Sequence, residues 1–258
     1  MIEAPPSLAL IGVREMTSLI EVYYSFARPA DATHVAALLP LIESFVCAGA
    51  NGGFPLRDAG TARTTVLLSS GELISPTTVR HVLEVRDVDW RAFQLLRSMV
   101  ARLRSNKIFV QSINISDPMF PSANPVYFDW PDENTEEAAY PNVTRRAESL
   151  LIFEDNDFSK VRRLLVEVDA ALGPERVTCF AAWVEPWYRM LEFNAFAMPI
   201  GHPSVTDSIA GSVSQFDEVT IEISVDRFMA TECAWNILAS MICAFDWSSG
   251  SLVGIVVD

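Results

Sequence analysis

Few residues in this 258-residue chain are of types that carry chemistry by themselves, and their spacing matches none of the common catalytic patterns. There are three histidines, His34, His81 and His202. An imidazole acts as a base or metal ligand only beside a second functional group, and binding residues favour loops. His202, between Gly201 and Pro203, is the histidine placed that way. His34 falls in the first turn of an expected helix, and His81 near the start of an expected strand. The four cysteines, Cys47, Cys179, Cys233 and Cys243, are far apart and form no C-x-x-C pair. Three lie in apolar runs, where a small buried thiol is the ordinary reading. They imply reduced thiols and a reducing compartment, and they offer no zinc spacing. No phosphate-cradling G-x-x-x-x-G-K-[ST], no G-x-G-x-x-G after a strand, no G-x-S-x-G elbow and no H-E-x-x-H occurs. Ala50-Asn51-Gly52-Gly53 follows a helix and reads as its cap and turn. The expectation is therefore no catalytic residue, no metal and no cofactor.

Carboxylates and aromatics remain. Glu154, Asp155 and Asp157 crowd one strand-to-helix junction, where helix capping accounts for them without an ion. A second group sets Asp129, Asp132, Glu133, Glu136 and Glu137 among Tyr127, Phe128 and Trp130, with no Lys or Arg before Arg145. Such a segment can present its acids to a basic surface while its aromatics anchor in pockets. Trp187 and Tyr188 follow Pro186 at an expected strand end and could line a groove. These ten residues are the candidate partner-binding set.

The elements that would position them follow from periodicity. Strands are expected at Thr17–Phe26, Thr64–Ser69, Val79–Arg86 and Lys107–Ser116, with helices from Asp31 to about Ala48 and from about Trp90 to Leu103. Pro40 speaks against the first helix, or for a kink in it. Residues 117–142 are rich in proline and acid and read as a linker or long loop. In the second half, strands are expected at Ser149–Glu154, Val177–Val184, Val219–Val225 and Leu252–Val257. Helices are expected at Phe158–Leu172, stopped by Gly173-Pro174, and at Met229–Phe245, with an irregular stretch over 187–215. Each half then reads β-α-β-β-α-β. The expected class is α+β, as tandem ferredoxin-like modules with antiparallel sheets: 1–117, an acidic aromatic linker at 118–145, and 146–258.

Composition bounds the partners. Lys and Arg number 19 against 33 Asp and Glu, a formal net charge of −14. That balance excludes a free nucleic-acid binder and disfavours anionic lipid, while it attracts a basic protein. The N-terminal apolar run Leu8–Val13 has no basic flank and does not read as a signal, and no uninterrupted apolar stretch is long enough to span a bilayer. A cytoplasmic location is expected. This acidic, α+β profile without catalytic signatures, with Phe128-Asp129-Trp130-Pro131-Asp132-Glu133 as its nearest motif, resembles immunity proteins of bacterial polymorphic-toxin systems. The resemblance implies a non-catalytic inhibitor that neutralises a basic toxin, such as a nuclease, by occluding its active site. Two alternatives stand beside it. One is an enzyme on a tandem ferredoxin-like scaffold, similar in coarse architecture to haem-dependent dye-decolorising peroxidases and chlorite dismutases, which would need a helical proximal histidine such as His34. The other is a homodimeric structural subunit.

Overall fold

The computed structural model describes residues 17–54, 65–86, 110–116, 126–129, 151–153, 161–193, 195–196, 211–226, 232–248 and 250–257, with helical positions 92, 93, 95, 96, 99 and 100. In the first half, β1 (Thr17–Phe26) leads into α1 (Ala32–Ala50), then β2 (Thr65–Leu67), β3 (Glu72–Ser75), β4 (Thr78–Arg86), β5 (Val110–Ser116) and β6 (Val126–Asp129). The sheet order is β2-β4-β1-β5-β6, with β3 also paired to β4, and every pairing is antiparallel. The second half runs β7 (Leu151–Phe153), β8 (Val161–Val168), α2 (Pro174–Glu192), β9 (Gly211–Gln215), β10 (Thr220–Asp226), α3 (Glu232–Ala244) and β11 (Leu252–Val257). Its order is β7-β11-β8-β10-β9, antiparallel except where β7 joins β11. The chain is thus α+β.

Period-two patterning gives each sheet one buried face. Along β1, Ile20, Val22, Tyr24 and Phe26 point into the core, while Leu19, Glu21, Tyr23 and Ser25 do not. Along β8 the buried set is Leu164, Val166 and Val168, and along β10 it is Ile221, Ile223 and Val225. Helices cover those faces. Leu38, Leu41, Ile42 and Phe45 of α1 are fully buried, at helical spacing, and so are Ala92, Leu95, Leu96, Met99 and Val100 between β4 and β5. The two helical layers then meet. α1 packs on α2, and Asn51 Nδ2 donates to the Trp183 carbonyl at 2.6 Å. Trp183 Nε1 in turn donates to the Met241 carbonyl at 2.8 Å. One hydrophobic core therefore runs between the two sheets. Burying each large apolar side chain there contributes about 1.5–3 kcal/mol.

Several sequence expectations need correction. Residues 161–168, expected in a helix over Phe158–Leu172, form the central strand β8. Arg163, Leu165 and Glu167 alternate with the buried Leu164, Val166 and Val168, and the β-branched valines suit a pleated surface. Gly173-Pro174, read as a helix stop, opens α2: Gly173 is an extended N-cap and Pro174 the first helical residue, where proline's fixed φ suits a start. The expected strand Val177–Val184 is accordingly helical. Phe180, Val184, Trp187 and Leu191 recur on one buried face. The helix continues through Pro186 into the stretch expected to be irregular, and β9 forms at its far end. Residues 126–129, inside the expected linker, form β6 on the first sheet. Pro40 does not break α1. It is exposed, as is Ala36, so the hydrogen bond proline removes lies on the solvent side.

α1 is long and apolar enough to cross a membrane by length and composition alone. Its fully buried face, its Asp31 cap and its packing on α2 are those of a core helix. Cys47 and Cys179, expected among buried thiols, are exposed on the solvent sides of α1 and α2.

Candidate partner-binding face

The outer face of the first sheet carries the most distinctive chemistry. Seven large apolar side chains stand well exposed among the described residues, and the register sets three of them, Leu19, Val66 and Leu68, each between 39% and 50% exposed, on this face; Leu73 and Ile74 are exposed on β3, where Leu73 pairs with Val79 of the opposite face. Water does not reward this clustering, and contiguous exposed apolar surface of this kind marks interaction sites. Strand register assembles it. Glu84 of β4 pairs with Leu19 on one side and Val66 on the other, so Val66, Glu84 and Leu19 form one lateral row. In the next row Val82 pairs with Glu21, while Leu68 N–H donates to the Val82 carbonyl at 2.9 Å.

A charged row follows. Arg80 pairs with Tyr23 and Glu72, and its guanidinium bridges Glu21 Oε1 at 3.1 Å and Glu72 Oε2 at 2.6 Å. Tyr23 donates its hydroxyl to Glu21 Oε2 at 2.6 Å; that bond, with burial, raises the phenol above its ordinary value. The network fixes the Glu21 carboxylate and leaves Glu72 half-exposed. Two carboxylates, Glu21 and Glu72, share the Arg80 guanidinium, and Glu84 adds a third on the same face, where β4 also carries Arg86. The second sheet differs. Its edge strand β9 is Gly-Ser-Val-Ser-Gln, and the exposed apolar residues there, Phe216 and Val253, stand singly.

The sequence-predicted set divides. β6 carries Tyr127, Phe128 and Asp129 onto the same sheet, in register with Asn114, Ile113 and Ser112 of β5. Asn114 also pairs with Tyr23, so Tyr127 ends the row that holds Arg80. Trp130, Asp132, Glu133, Glu136 and Glu137 lie outside the described residues, as do His202 and the Glu154–Asp157 group. Trp187 is no surface group: it is fully buried, its indole N–H donates to the Ala234 carbonyl at 2.8 Å, and its ring lies 5.7 Å from that of Trp235. Tyr188 is largely buried beside it, with its hydroxyl 3.1 Å from the carbonyls of Ser212 and Ser224. Burial raises that phenol strongly. Both residues hold α2 in place because helical periodicity, not a strand end, sets their direction.

Leu19, Val66, Leu68, Leu73 and Ile74 were not singled out from sequence. A signal existed: Val66-Leu67-Leu68 places apolar residues on both parities of a strand, so at least one must leave the core unless a second layer covers it. The histidines are accounted for separately. His34, the helical one, sits 2.8 Å from Asp31 Oδ1 in a capping box, and that contact lowers the Asp31 carboxyl. His81 is fully buried, edge-on to the equally buried Tyr24 with ring centroids 5.5 Å apart. The Tyr24 hydroxyl has no hydrogen-bond partner, and the Ser70 backbone is the one polar group that acts on the imidazole. Burial depresses the imidazole to about 4, opposed by the Ser70 backbone, and raises the Tyr24 phenol well above 10. Gly71, at φ +101, lies over the imidazole, where a β-carbon would come within 2.8 Å of Nε2. So enclosed, the pair has no substrate access. No group of three or more His, Cys, Asp or Glu residues suited to a metal occurs among the described residues.

No protein-family model and no curated protein matches the chain. Among solved structures, a mutant of the ferredoxin protease FusC in complex with Arabidopsis ferredoxin aligns over 88% of this chain and 33% of that one, at 9% identity and a TM-score of 0.19. The chain thus spans about a third of that protein's length.

Proposed function

We propose that this chain is a non-catalytic protein-binding module, an acidic inhibitor of the immunity type that neutralises a basic toxin by covering its active site. The observation that carries the reading is the cluster of Leu19, Val66 and Leu68 exposed beside Glu21, Glu72 and Glu84. Apolar contact supplies affinity on such a face, and the acidic surplus supplies steering and selectivity for Lys- and Arg-rich surfaces. The chain's net charge of −14 extends the same attraction to long range. In this reading Asp129, Asp132, Glu133, Glu136 and Glu137 also meet the basic partner, with Tyr127, Phe128 and Trp130 as anchors. The scaffold reading is two ferredoxin-like modules. In its support, β5-β1-β4-β2 and β11-β8-β10-β9 have the same order of fourth, first, third and second strands, with one extra strand outside the fourth in each sheet. The reading places the protein in the cytoplasm, beside a toxin made in the same cell.

Capture on the tagged chain from its source cells, at low and high salt, tests this directly. The expected result is one stoichiometric basic protein, released by salt and lost when Val66→Lys and Leu68→Lys are combined. Retention of the same partner by that double variant, or of none by the wild type at low salt, removes the basis of the proposal.

A further inference from the structure

We infer that the partner docks by strand addition, pairing an extended segment of alternating apolar and basic residues onto the edge of β2 that has no strand beside it among the described residues; this rests on the partner-binding reading above. β2 ends the strand order of the first sheet, with β4 on its inner side. Antiparallel pairing turns successive residues' backbone groups to alternate sides. Leu68 N–H donates to the Val82 carbonyl, so the backbone of Leu67 faces away from β4, toward the open edge. An unpaired row of N–H and C=O groups is a template for another strand, and proteins that avoid this blunt the edge with charge, proline or cover. This edge is flanked instead by exposed Val66 and Leu68. The opposite sheet shows the contrast: β9 is small and polar, and the Ser212 carbonyl receives the Tyr188 hydroxyl.

Charge selects the occupant. A second copy would bring another −14 to a face that holds Glu21, Glu72 and Glu84 with Arg80 and Arg86, so self-pairing is opposed. A strand bearing Lys or Arg is attracted. Added beside β2, it would lie about 10 Å from β4. A lysine and Glu84 reaching toward each other can span that separation, while apolar residues on the same face of the added strand lie against Val66 and Leu68.

The probe is a blocked nonapeptide alternating lysine and valine, titrated into the full chain. Its controls are a glutamate–valine peptide and two analogues, one N-methylated at every lysine and the other at every valine. N-methylation removes backbone donors from one strand edge only and keeps every side chain. The expected result is binding of the parent, none of the acidic peptide, and loss of at least about tenfold in one methylated analogue but not the other. Binding should also slow hydrogen exchange at Leu67 and weaken in the Val66→Lys, Leu68→Lys variant. Equal binding of both analogues overturns strand addition while leaving a side-chain-mediated partner face intact. No binding of the parent, or sedimentation as a dimer that the double variant dissociates, overturns the inference as well; the salt-dependent capture judges the broader reading independently.

Discussion

Lowering the pH from about 7 to about 4 drives a proton onto any exposed histidine, but His81 can accept one only at a cost set by its surroundings. The ring lies edge-on to Tyr24 of β1 and under Gly71 of the β2–β3 turn, with the Ser70 backbone as the polar group that opposes the effect of burial. Burial therefore favours the neutral form, and the folded-state value falls from 6.5 to about 4. Because the folded value is depressed, the unfolded chain binds the extra proton first. The stabilisation is present above pH 6.5, declines as the pH falls below it, and is lost by about pH 4. At roughly 1.4 kcal/mol per pH unit this amounts to about 3 kcal/mol, a large part of a typical 5–15 kcal/mol stability. Carboxylates held low, Asp31 by His34 and Asp217 by the Val219 N–H, act in a separate window below their ordinary 3.8. Urea unfolding at stepped pH reads the effect as a midpoint shift of about 1 M for a slope near 3 kcal/mol/M. His81→Leu supplies the control, with similar volume and no titrating group. The wild type should lose about 3 kcal/mol more than the variant between pH 6.5 and 4. Equal losses in the two proteins would refute the assignment.

Three other outcomes are expected. Tyr24→Phe removes a buried hydroxyl that has no partner, and should leave the melting temperature unchanged or raise stability by about 1 kcal/mol; a clear loss would reveal a partner for that hydroxyl. Gly211→Ala drives a β-carbon into the Tyr188 ring, and in thermal melts should cost about 1–3 kcal/mol, whereas Gly254→Ala, with open space around its β-carbon, should be near neutral. Replacing Asp129, Asp132, Glu133, Glu136 and Glu137 by Asn and Gln should weaken partner binding and flatten its salt dependence in calorimetric titrations, and unchanged affinity would remove them from the interface.

Most of the strand–helix order of the first half was legible because its signals are local, although β3 forms where a connection between strands was expected. β1 matches its β-branched, aromatic run at both ends, and Asp31 starts α1 as capping chemistry requires. The second half misled where one local pattern has two meanings. Gly-Pro can follow one helix or open the next, and the flanking periods decide between them: two residues before it, in β8, and about 3.6 after it, in α2. The displaced boundary moved Trp187 and Tyr188 from core to surface in the expectation. The binding face was harder to see because exposure is a tertiary property. Val66, Leu68 and Leu19 become one patch only when β4 lies between their strands. Acidity, by contrast, was plain in composition.

The central claim is that partner binding uses the first sheet at its β2–β3 edge. Amide hydrogen exchange, comparing the free chain with the complex it retains at low salt, addresses that claim most directly. Slowed exchange is expected within residues 65–75, with smaller changes in β1 and β4 and none in β9. Protection confined to the second sheet, or absent from residues 65–86, would contradict it.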